Sequence, residues 1–217
     1  MGTLIKISGL TKEFRGIKVL DNITIDFDSG KIHGVIGRNG SGKTVLLKCI
    51  CGLMKATSGT IKINDVAIED DVPQNISIGA IIETPGFIPS LNGFKNLKFL
   101  SELDARLSKR QIYDAMEDVG LEPKSKKKVG QYSLGMKQRL GIAQAIMEQP
   151  KLLVLDEPMN GLDNKGIVQM RQLFLNLKKS GTTIILASHS KEDIVFLCDT
   201  VMELSIYSHP VCSRVAP

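Results

Sequence analysis

Short apolar runs of strand length alternate with longer segments of helical periodicity along this chain. The continuous apolar runs are typical of strands buried on both faces, and they lie at residues 32–36, 78–82, 151–155 and 183–187. Helical patterns lie between them, at residues 45–50, 134–149 and 164–179. Strands that alternate with helices predict an α/β fold around a mostly parallel sheet.

Two other regions do not follow that alternation. Residues 4–8 and 23–27 alternate apolar and polar positions, and the short link between them, with a turn at Gly16, predicts antiparallel neighbours. Residues 94–119 carry apolar positions at helical spacing among many charges, which predicts a helical insertion into the α/β domain. Ser133 precedes the next helical pattern and is a suitable N-cap.

A glycine-rich turn joins the first apolar run to the helix that follows it. The turn reads Gly37, Arg38, Asn39, Gly40, Ser41, Gly42, Lys43 and Thr44. Its glycines allow successive backbone N–H groups to point at phosphate oxygens, and the helix adds its positive dipole end. We expect Lys43 to reach the β- and γ-phosphates and Thr44 to ligate Mg²⁺. The turn therefore predicts binding of a nucleoside triphosphate.

Further candidate residues follow the later apolar runs. Asp156 and Glu157 come directly after residues 151–155, and His189 follows residues 183–187. Ligands of parallel sheets bind at the carboxyl ends of the strands, so these side chains are expected to converge on the phosphate loop. Asp156 can accept from Mg²⁺-bound water, and Glu157 can orient or deprotonate the water that attacks the γ-phosphate.

Composition narrows the class of protein only slightly. The 217 residues carry a formal net charge of +5, which does not select nucleic acid as a partner, and we expect none. No apolar run approaches the roughly 18 residues that cross a bilayer, and the first residues open no signal peptide. Cysteines 49, 51, 198 and 212 have no metal-ligand spacing and are interpreted as core residues in a reducing compartment. We expect a cytoplasmic protein.

Taken together, these motifs resemble the ATP-binding cassette (ABC) ATPases, over about residues 4–200. The resemblance implies a phosphate-loop nucleotide-triphosphatase core, an N-terminal antiparallel β subdomain and an inserted α-helical subdomain. We expect one domain, with the core and β subdomain at 1–84 and 150–204, the helical subdomain at 85–149, and an atypical tail at 205–217.

The resemblance also assigns roles to residues outside the phosphate loop. Residues 132–136 occupy the family's signature motif, where Ser133 and Gly135 are kept and Tyr132, Leu134 and Met136 depart from the usual residues. Residues 160–163 match the loop after the catalytic glutamate, which adds Asp163 to the nucleotide contacts. His189 matches the histidine switch, and Phe14 matches the aromatic residue that stacks on adenine.

Glu83 is an informative departure, because the family normally has glutamine at the end of this strand. A glutamate there is similar to the bacitracin and lantibiotic export or immunity ATPases. A carboxylate binds Mg²⁺ more strongly than an amide does and brings charge toward the attacking water. We therefore include Glu83 among both the catalytic and the metal-binding candidates.

The resemblance implies a composite mechanism. Ser133 and Gly135 would complete the nucleotide site of a second copy, so that two chains enclose two ATP molecules head to tail. A separate polytopic membrane permease would carry the substrate, and the chain would sit peripherally on the inner face of the cell membrane. The expected function is ATP hydrolysis that powers export of, or immunity to, a peptide antibiotic or drug.

Two alternatives remain at the level of sequence. One is a non-transport ABC ATPase that acts as a regulatory or sensor-complex component, although fused cassettes and sustained heptads are missing from the sequence. The other is a different phosphate-loop switch or kinase, which would lack the signature residues and His189. The tail from residue 205 shows no strand pattern, which indicates a truncation, a frameshift or a cloning scar, and we expect it to be poorly ordered.

Overall fold

The structure is a computed structural model, and it describes residues 2–68, 77–83, 85–103, 107–205 and 208–214. Within these ranges, ten strands and six α-helices build two sheets and the layers that cover them. The sequence-predicted α/β class and the mostly parallel main sheet are confirmed.

The N-terminal sheet is antiparallel. Strands β1 (Thr3–Phe14) and β2 (Ile17–Asp28) form a hairpin, followed in the chain by β4 (Ser58–Ile63) and β5 (Val66–Ala67). The strand order is β2-β1-β4-β5. The predicted antiparallel pairing of the first two strands is confirmed, but both strands run much further than the alternating pattern indicated.

The second sheet has the order β10-β9-β3-β8-β7-β6. Its strands are β3 (Ile32–Ile36), β6 (Ile78–Ile81), β7 (Leu152–Asp156), β8 (Thr183–Ala187), β9 (Thr200–Ser205) and β10 (Ser208–Arg214). The five strands from β9 to β6 are parallel, and β10 pairs antiparallel with β9. The carboxyl ends of β3, β6, β7 and β8 therefore meet at one edge of the sheet.

Within the described ranges, six α-helices connect and cover the sheets. They are α1 (Lys43–Ile50), α2 (Gly93–Leu103), α3 (Lys109–Asp118), α4 (Leu134–Ile146), α5 (Asn164–Lys179) and α6 (Lys191–Leu197). Side-chain caps explain several starts: Ser108 forms a capping box with Gln111, and Ser133 caps α4 as predicted. No helix in the described part of the chain is long and apolar enough to span a bilayer.

The buried strands of the main sheet contribute to two apolar cores on opposite faces. Along β7, Leu152 and Val154 face the core that also contains α1 and the N-terminal sheet. Leu153 and Leu155 face the other core, which α3, α4 and α5 cover. This alternation explains the continuous apolar runs in the sequence, because both faces of the strand are buried.

The cysteines within the described side chains belong to these cores. Cys49, Cys51 and Cys198 are buried free thiols, as the sequence predicted. Burial raises the pKa of the Cys51 and Cys198 thiols to about 12, so neither is a reactive thiolate near neutral pH.

The predicted irregular tail is wrong where the structure describes it. Ser208–Arg214 forms β10, which pairs with β9 at the edge of the main sheet. An edge strand tolerates Pro210, because only one side of its backbone has to pair. Residues 206–207 and 215–217, which belong to the same predicted tail, lie outside the described residues.

Candidate nucleotide-binding site

The phosphate loop spans the gap between the end of β3 and the start of α1, and two of its glycines are required by close contacts. Gly37 has φ 154°, and a Cβ there would lie 2.4 Å from the Ser41 Oγ. Gly42 has φ 95°, and its Cβ would lie 3.0 Å from the Val19 carbonyl oxygen of β2. Any larger residue at either position would strain the backbone and collide with its neighbours.

Lys43 and Ser41 present polar groups to the inside of this loop. The Lys43 Nζ donates to the carbonyl oxygens of Gly37 at 2.8 Å and Arg38 at 3.2 Å. The Ser41 Oγ is buried and has no hydrogen-bond partner, which is unusual for a buried hydroxyl. A loop that holds an ammonium and an unpaired hydroxyl at a helix N-terminus fits a phosphate group.

Thr44 and Asp156 bring two oxygen ligands together beside the loop. The Thr44 hydroxyl donates to the Asp156 Oδ2 at 2.6 Å, across from α1 to the end of β7. These hard oxygen donors fit Mg²⁺, which proteins usually bind through one or two side chains together with nucleotide phosphates. The described residues contain no cluster of three or more acids, histidines or cysteines that could hold a metal.

Glu157 and His189 form a pair at the same edge of the sheet. The His189 Nδ1 lies 2.8 Å from the Glu157 Oε2, and the side chains are 66% and 22% exposed, respectively. An ionised carboxylate only accepts hydrogen bonds, so Nδ1 is the donor in this pair. Glu157 also has φ 50°, a left-handed conformation that is uncommon for glutamate and typical of functional sites.

Glu83 lies at the end of β6 and also has a left-handed backbone, with φ 65°. Its Oε1 is 2.7 Å from the Nζ of Lys48 on α1. Sequence reasoning missed Lys48, and the available signal was a single charge within the apolar segment 45–50.

A cleft of about 570 Å³ joins most of these groups. It is lined by Val19, Asn39, Gly40, Gly42, Lys43, Thr44, Val45, Glu83, Pro85, Leu134, Lys137, Gln138, Asp156, Glu157 and Asn160. The structure thus brings the phosphate loop, Asp156, Glu157 and Glu83 into one site. Gln138 is a second residue that sequence reasoning missed, and its Nε2 donates to the Pro158 carbonyl oxygen next to Glu157, at 3.0 Å.

Other predicted site residues do not line this cleft. Ser133 and Gly135 stand at the exposed start of α4, where the Ser133 Oγ accepts from the Met136 N–H. Asp163 caps α5 by accepting from the Gly166 N–H at 2.8 Å. These positions leave the start of α4 open to solvent.

Phe14 lies at the end of β1, at the tip of the N-terminal hairpin. Its side chain is 42% exposed, and the Lys12 Nζ lies 5.0 Å from the ring centre. The ring is not among the groups that line the cleft, but β2 of the same hairpin contacts the phosphate loop through Val19. The hairpin thus adjoins the loop, with Phe14 at its exposed end.

The departures at Tyr132 and Met136 from the usual signature have a structural explanation. Tyr132 is buried in the helical core, burial raises the pKa of its hydroxyl, and that hydroxyl bonds to the backbone of Gly93. Met136 packs on the same core, with its sulfur 3.8 Å from the Lys127 Nζ. Both side chains therefore belong to the packing of the helical layer.

Comparison with known proteins agrees with this geometry. The sequence profile described as ABC transporter matches residues 20–160. The uncharacterized ABC transporter ATP-binding protein YybJ of Bacillus subtilis (strain 168) is 45% identical over 202 residues, which cover 93% of each chain. The bacitracin transport ATP-binding protein BcrA of Bacillus licheniformis is 42% identical over 205 residues, which cover 93% of this chain and 66% of BcrA.

Another relative and one solved structure extend the comparison. The lantibiotic transport ATP-binding protein SrtF of Streptococcus pyogenes is 37% identical over 198 residues, covering 91% of this chain and 85% of SrtF. The fold matches a dimeric structure of the ATP-binding cassette MJ0796 bound to ADP and Pi, with a TM-score of 0.89. That match covers 99% of this chain and 100% of the other, at 22% identity, and supports the fold.

Proposed function

Because this chain belongs to the ABC transporter family and is an ATP-hydrolysing, ATP-binding subunit, we propose that the cleft at the carboxyl edge of the main sheet is its ATPase site. In this proposal, residues 37–44 wrap the phosphates with backbone N–H groups, and Lys43 supplies the positive charge. Phe14, at the tip of the adjoining hairpin, stacks on the adenine.

Glu157 and His189 carry the proposed hydrolysis. The observation on which this rests is their hydrogen bond of 2.8 Å at the strand edge beside Thr44 and Asp156. The Glu157 carboxylate orients the attacking water and takes its proton, as a general base within reach of the γ-phosphate. His189 holds that carboxylate in place and contacts the γ-phosphate from the other side.

Mg²⁺ belongs to the same proposal. Thr44, Asp156 and Glu83 are the residues that would hold it, and it would supply positive charge against the β- and γ-phosphates. Glu83 contributes a second carboxylate at this edge, in addition to Asp156.

Substitution of Glu157 tests the catalytic assignment. We expect Glu157→Gln to lower the ATPase rate by roughly 10²- to 10⁴-fold, because the amide cannot take the proton, while ATP still binds. Glu203→Gln removes a carboxylate from the exposed face of β9 and serves as the matched control. Wild-type turnover by purified Glu157→Gln would show that another group is the base.

The open start of α4 supports a dimeric arrangement. Ser133 is exposed and, like Gly135, is not among the residues that line the cleft, and the N-terminus of a helix is suited to a phosphate. We propose that they bind the γ-phosphate held by a second copy, with Asp163 near the same contact. Two chains then enclose two ATP molecules.

The transported substrate is proposed from the relatives. BcrA and SrtF are bacitracin and lantibiotic transport proteins, and Glu83 is the residue that suggested the same group from sequence. We propose export of, or immunity to, a peptide antibiotic or drug through a polytopic membrane permease, with this chain on the cytoplasmic face of the membrane. The alternative of a non-transport regulatory ATPase is not favoured by these relatives.

Resistance measurements test the substrate class. Cells that carry the chain and its permease should tolerate bacitracin or a lantibiotic better than cells with the Glu157→Gln chain. The chain should also co-purify with the permease. Equal sensitivity of the two strains to both peptides, with the complex intact, would exclude this substrate class.

A further inference from the structure

An ion pair joins Lys48 on α1 to Glu83, one of the three residues proposed to hold Mg²⁺. We call these three residues, Thr44, Asp156 and Glu83, the metal edge of the cleft. The Lys48 Nζ lies 2.7 Å from the Glu83 Oε1, and Glu83 lines the cleft together with Thr44 and Asp156. None of the roles described above uses Lys48. We propose that Lys48 is a positioning residue that competes with Mg²⁺ for the Glu83 carboxylate and thereby sets the metal affinity of the site.

The register of α1 places Lys48 close to the metal ligands. Lys48 follows Thr44 by four residues, so the two side chains lie on the same face of the helix, one turn apart. Thr44 is bonded to Asp156, which fixes that face toward the end of β7. The Cβ atoms of Thr44 and Lys48 are therefore roughly 5–6 Å apart on this face, and the Lys48 ammonium reaches the Glu83 carboxylate from there.

Glu83 stands just beyond the end of β6, at the rim of the cleft. It has φ 65°, a left-handed conformation that is uncommon for glutamate. Two residues later, Pro85 packs closely on α4, because a Cβ at Gly141 would lie 2.6 Å from the Pro85 Cγ. Glu83 lines the same cleft as Thr44 and Asp156 and is also paired with Lys48, so its carboxylate has two competing partners.

The Glu83 carboxylate cannot pair fully with Lys48 and bind the metal at the same time, because both partners need its negative charge. A carboxylate that is paired with an ammonium is partly neutralised, and it must give up that partner to become a strong ligand of a divalent ion. Lys48 and Glu83 are 25% and 64% exposed, so their pair is solvent-screened and weak enough to exchange. Exposed pairs are worth roughly 0.2–1 kcal/mol, which corresponds to a change of up to about fivefold in binding.

The test measures metal binding directly as well as turnover. Lys48→Met keeps the aliphatic stem and removes the charge, and Lys48→Gln is a second neutral variant in case the first does not fold. Free Mn²⁺ is followed by electron paramagnetic resonance during titration of the ADP-saturated protein. We expect both variants to bind Mn²⁺ about two- to fivefold more tightly, and to reach half-maximal ATPase activity at correspondingly lower Mg²⁺. Lys48→Arg should behave as wild type.

Two controls separate this mechanism from a general effect of charge. Lys62→Met removes an exposed lysine of β4 and should leave Mn²⁺ binding unchanged. In a Glu83→Gln background, Lys48→Met should no longer shift Mn²⁺ binding. An unchanged or weaker affinity in Lys48→Met, or a shift that persists with Glu83→Gln, would overturn the proposal.

This inference rests on the proposed ATPase site, but the measurements distinguish an error in the site from an error in the role of Lys48. If the site itself is wrong, the wild-type protein will show no Mn²⁺ binding that depends on ADP. If only the role of Lys48 is wrong, the wild type will bind Mn²⁺ with ADP and Glu157→Gln will lose turnover, while Lys48→Met matches the wild-type affinity.

Discussion

At the scale of single residues, the two glutamates at the ends of β6 and β7 are the most informative features. Glu83 and Glu157 both have positive φ, where glycine or asparagine would be less strained. At these two positions the strain supports the roles proposed for the carboxylates, because functional sites are where such conformations cluster. The sequence located both acids, but their backbone conformation was not readable from residue type.

Thr44 offers a test of the proposed metal edge. Thr44→Val removes the hydroxyl that donates to Asp156, at nearly constant side-chain shape. We expect it to weaken Mg²⁺-dependent nucleotide binding and to lower ATPase activity at least tenfold, because a metal ligand and its orienting bond are lost together. The measurements are ATP affinity with Mg²⁺ or with EDTA, and the turnover rate.

The matched control for that change is Thr44→Ser, which keeps the hydroxyl and should retain activity within a few fold. A fully active Thr44→Val protein would show that the hydroxyl is not a ligand.

His33 makes folding sensitive to mild acid. Its ring lies between the Asp28 carbonyl oxygen at 2.8 Å and the Thr200 hydroxyl at 2.7 Å, an arrangement that suits neutral imidazole. Burial lowers the pKa of His33, so the unfolded chain takes up a proton before the folded protein does. We expect stability to fall as pH drops below about 6.5, by at most about 1.4 kcal/mol per pH unit.

Urea unfolding between pH 5 and pH 8 measures this dependence. His33→Gln cannot titrate, so its stability should be flatter over the same range, even if it is lower overall. A wild-type curve with the same slope as His33→Gln would contradict the assignment. The Asp28 carboxyl, whose pKa the nearby Lys31 lowers, loses its contribution only as pH falls below about 4.

At the scale of secondary structure, the sequence predicted most elements because the residues of each element carry a recognisable pattern of their own. Buried strands such as β7 and β8 were marked by continuous apolar runs, α4 by its periodicity and the Ser133 cap, and α5 by its periodicity. The strand β10 was missed because an edge strand needs no apolar alternation. Helix α4 ends at Ile146, earlier than its apolar pattern suggested, because the chain turns at Gln149 with φ 50°.

The crossing of β6 and α4 depends on a glycine. A Cβ at Gly79 would lie 1.9 Å from the Ala145 carbonyl oxygen, and a backbone atom cannot move aside cheaply. We expect Gly79→Ala to destabilise the fold by about 1–3 kcal/mol, because the helix must shift away from the sheet. Chemical denaturation of the purified protein measures this loss.

Gly86→Ala is the control for that prediction, since a Cβ at Gly86 meets no atom within 4 Å. Its stability should stay within about 0.5 kcal/mol of wild type. Equal stabilities of the two alanine variants would show that β6 and α4 are not packed as described.

The candidate site was only partly readable from the sequence. The groups at the carboxyl edge, among them Thr44, Asp156 and Glu157, were placed correctly, because strand ends in a parallel sheet converge on one edge. Lys48 and Gln138 were not found, because each acts through a contact between elements that are distant in the chain. Such contacts follow from the packing of α1 and α4, not from any local motif.

At the scale of the whole molecule, the proposed composite site depends on where the start of α4 lies relative to the cleft. Ser133 is exposed and does not line the cleft, whereas Leu134, the next residue, does. Leu134 packs against Gly161, so the start of α4 is held to the loop that follows Glu157. In the proposed dimer, the exposed Ser133 of one chain would meet the phosphate held by the other chain.

The most direct test is the molar mass of Glu157→Gln, measured by size-exclusion chromatography with light scattering. In Mg²⁺ and ATP, we expect the mass of two chains of 23.7 kDa each, because ATP is bound but not hydrolysed. With ADP, or with Ser133→Arg introduced as well, the mass of one chain is expected. A Glu157→Gln protein that binds ATP and still elutes with the mass of one chain would contradict the composite site.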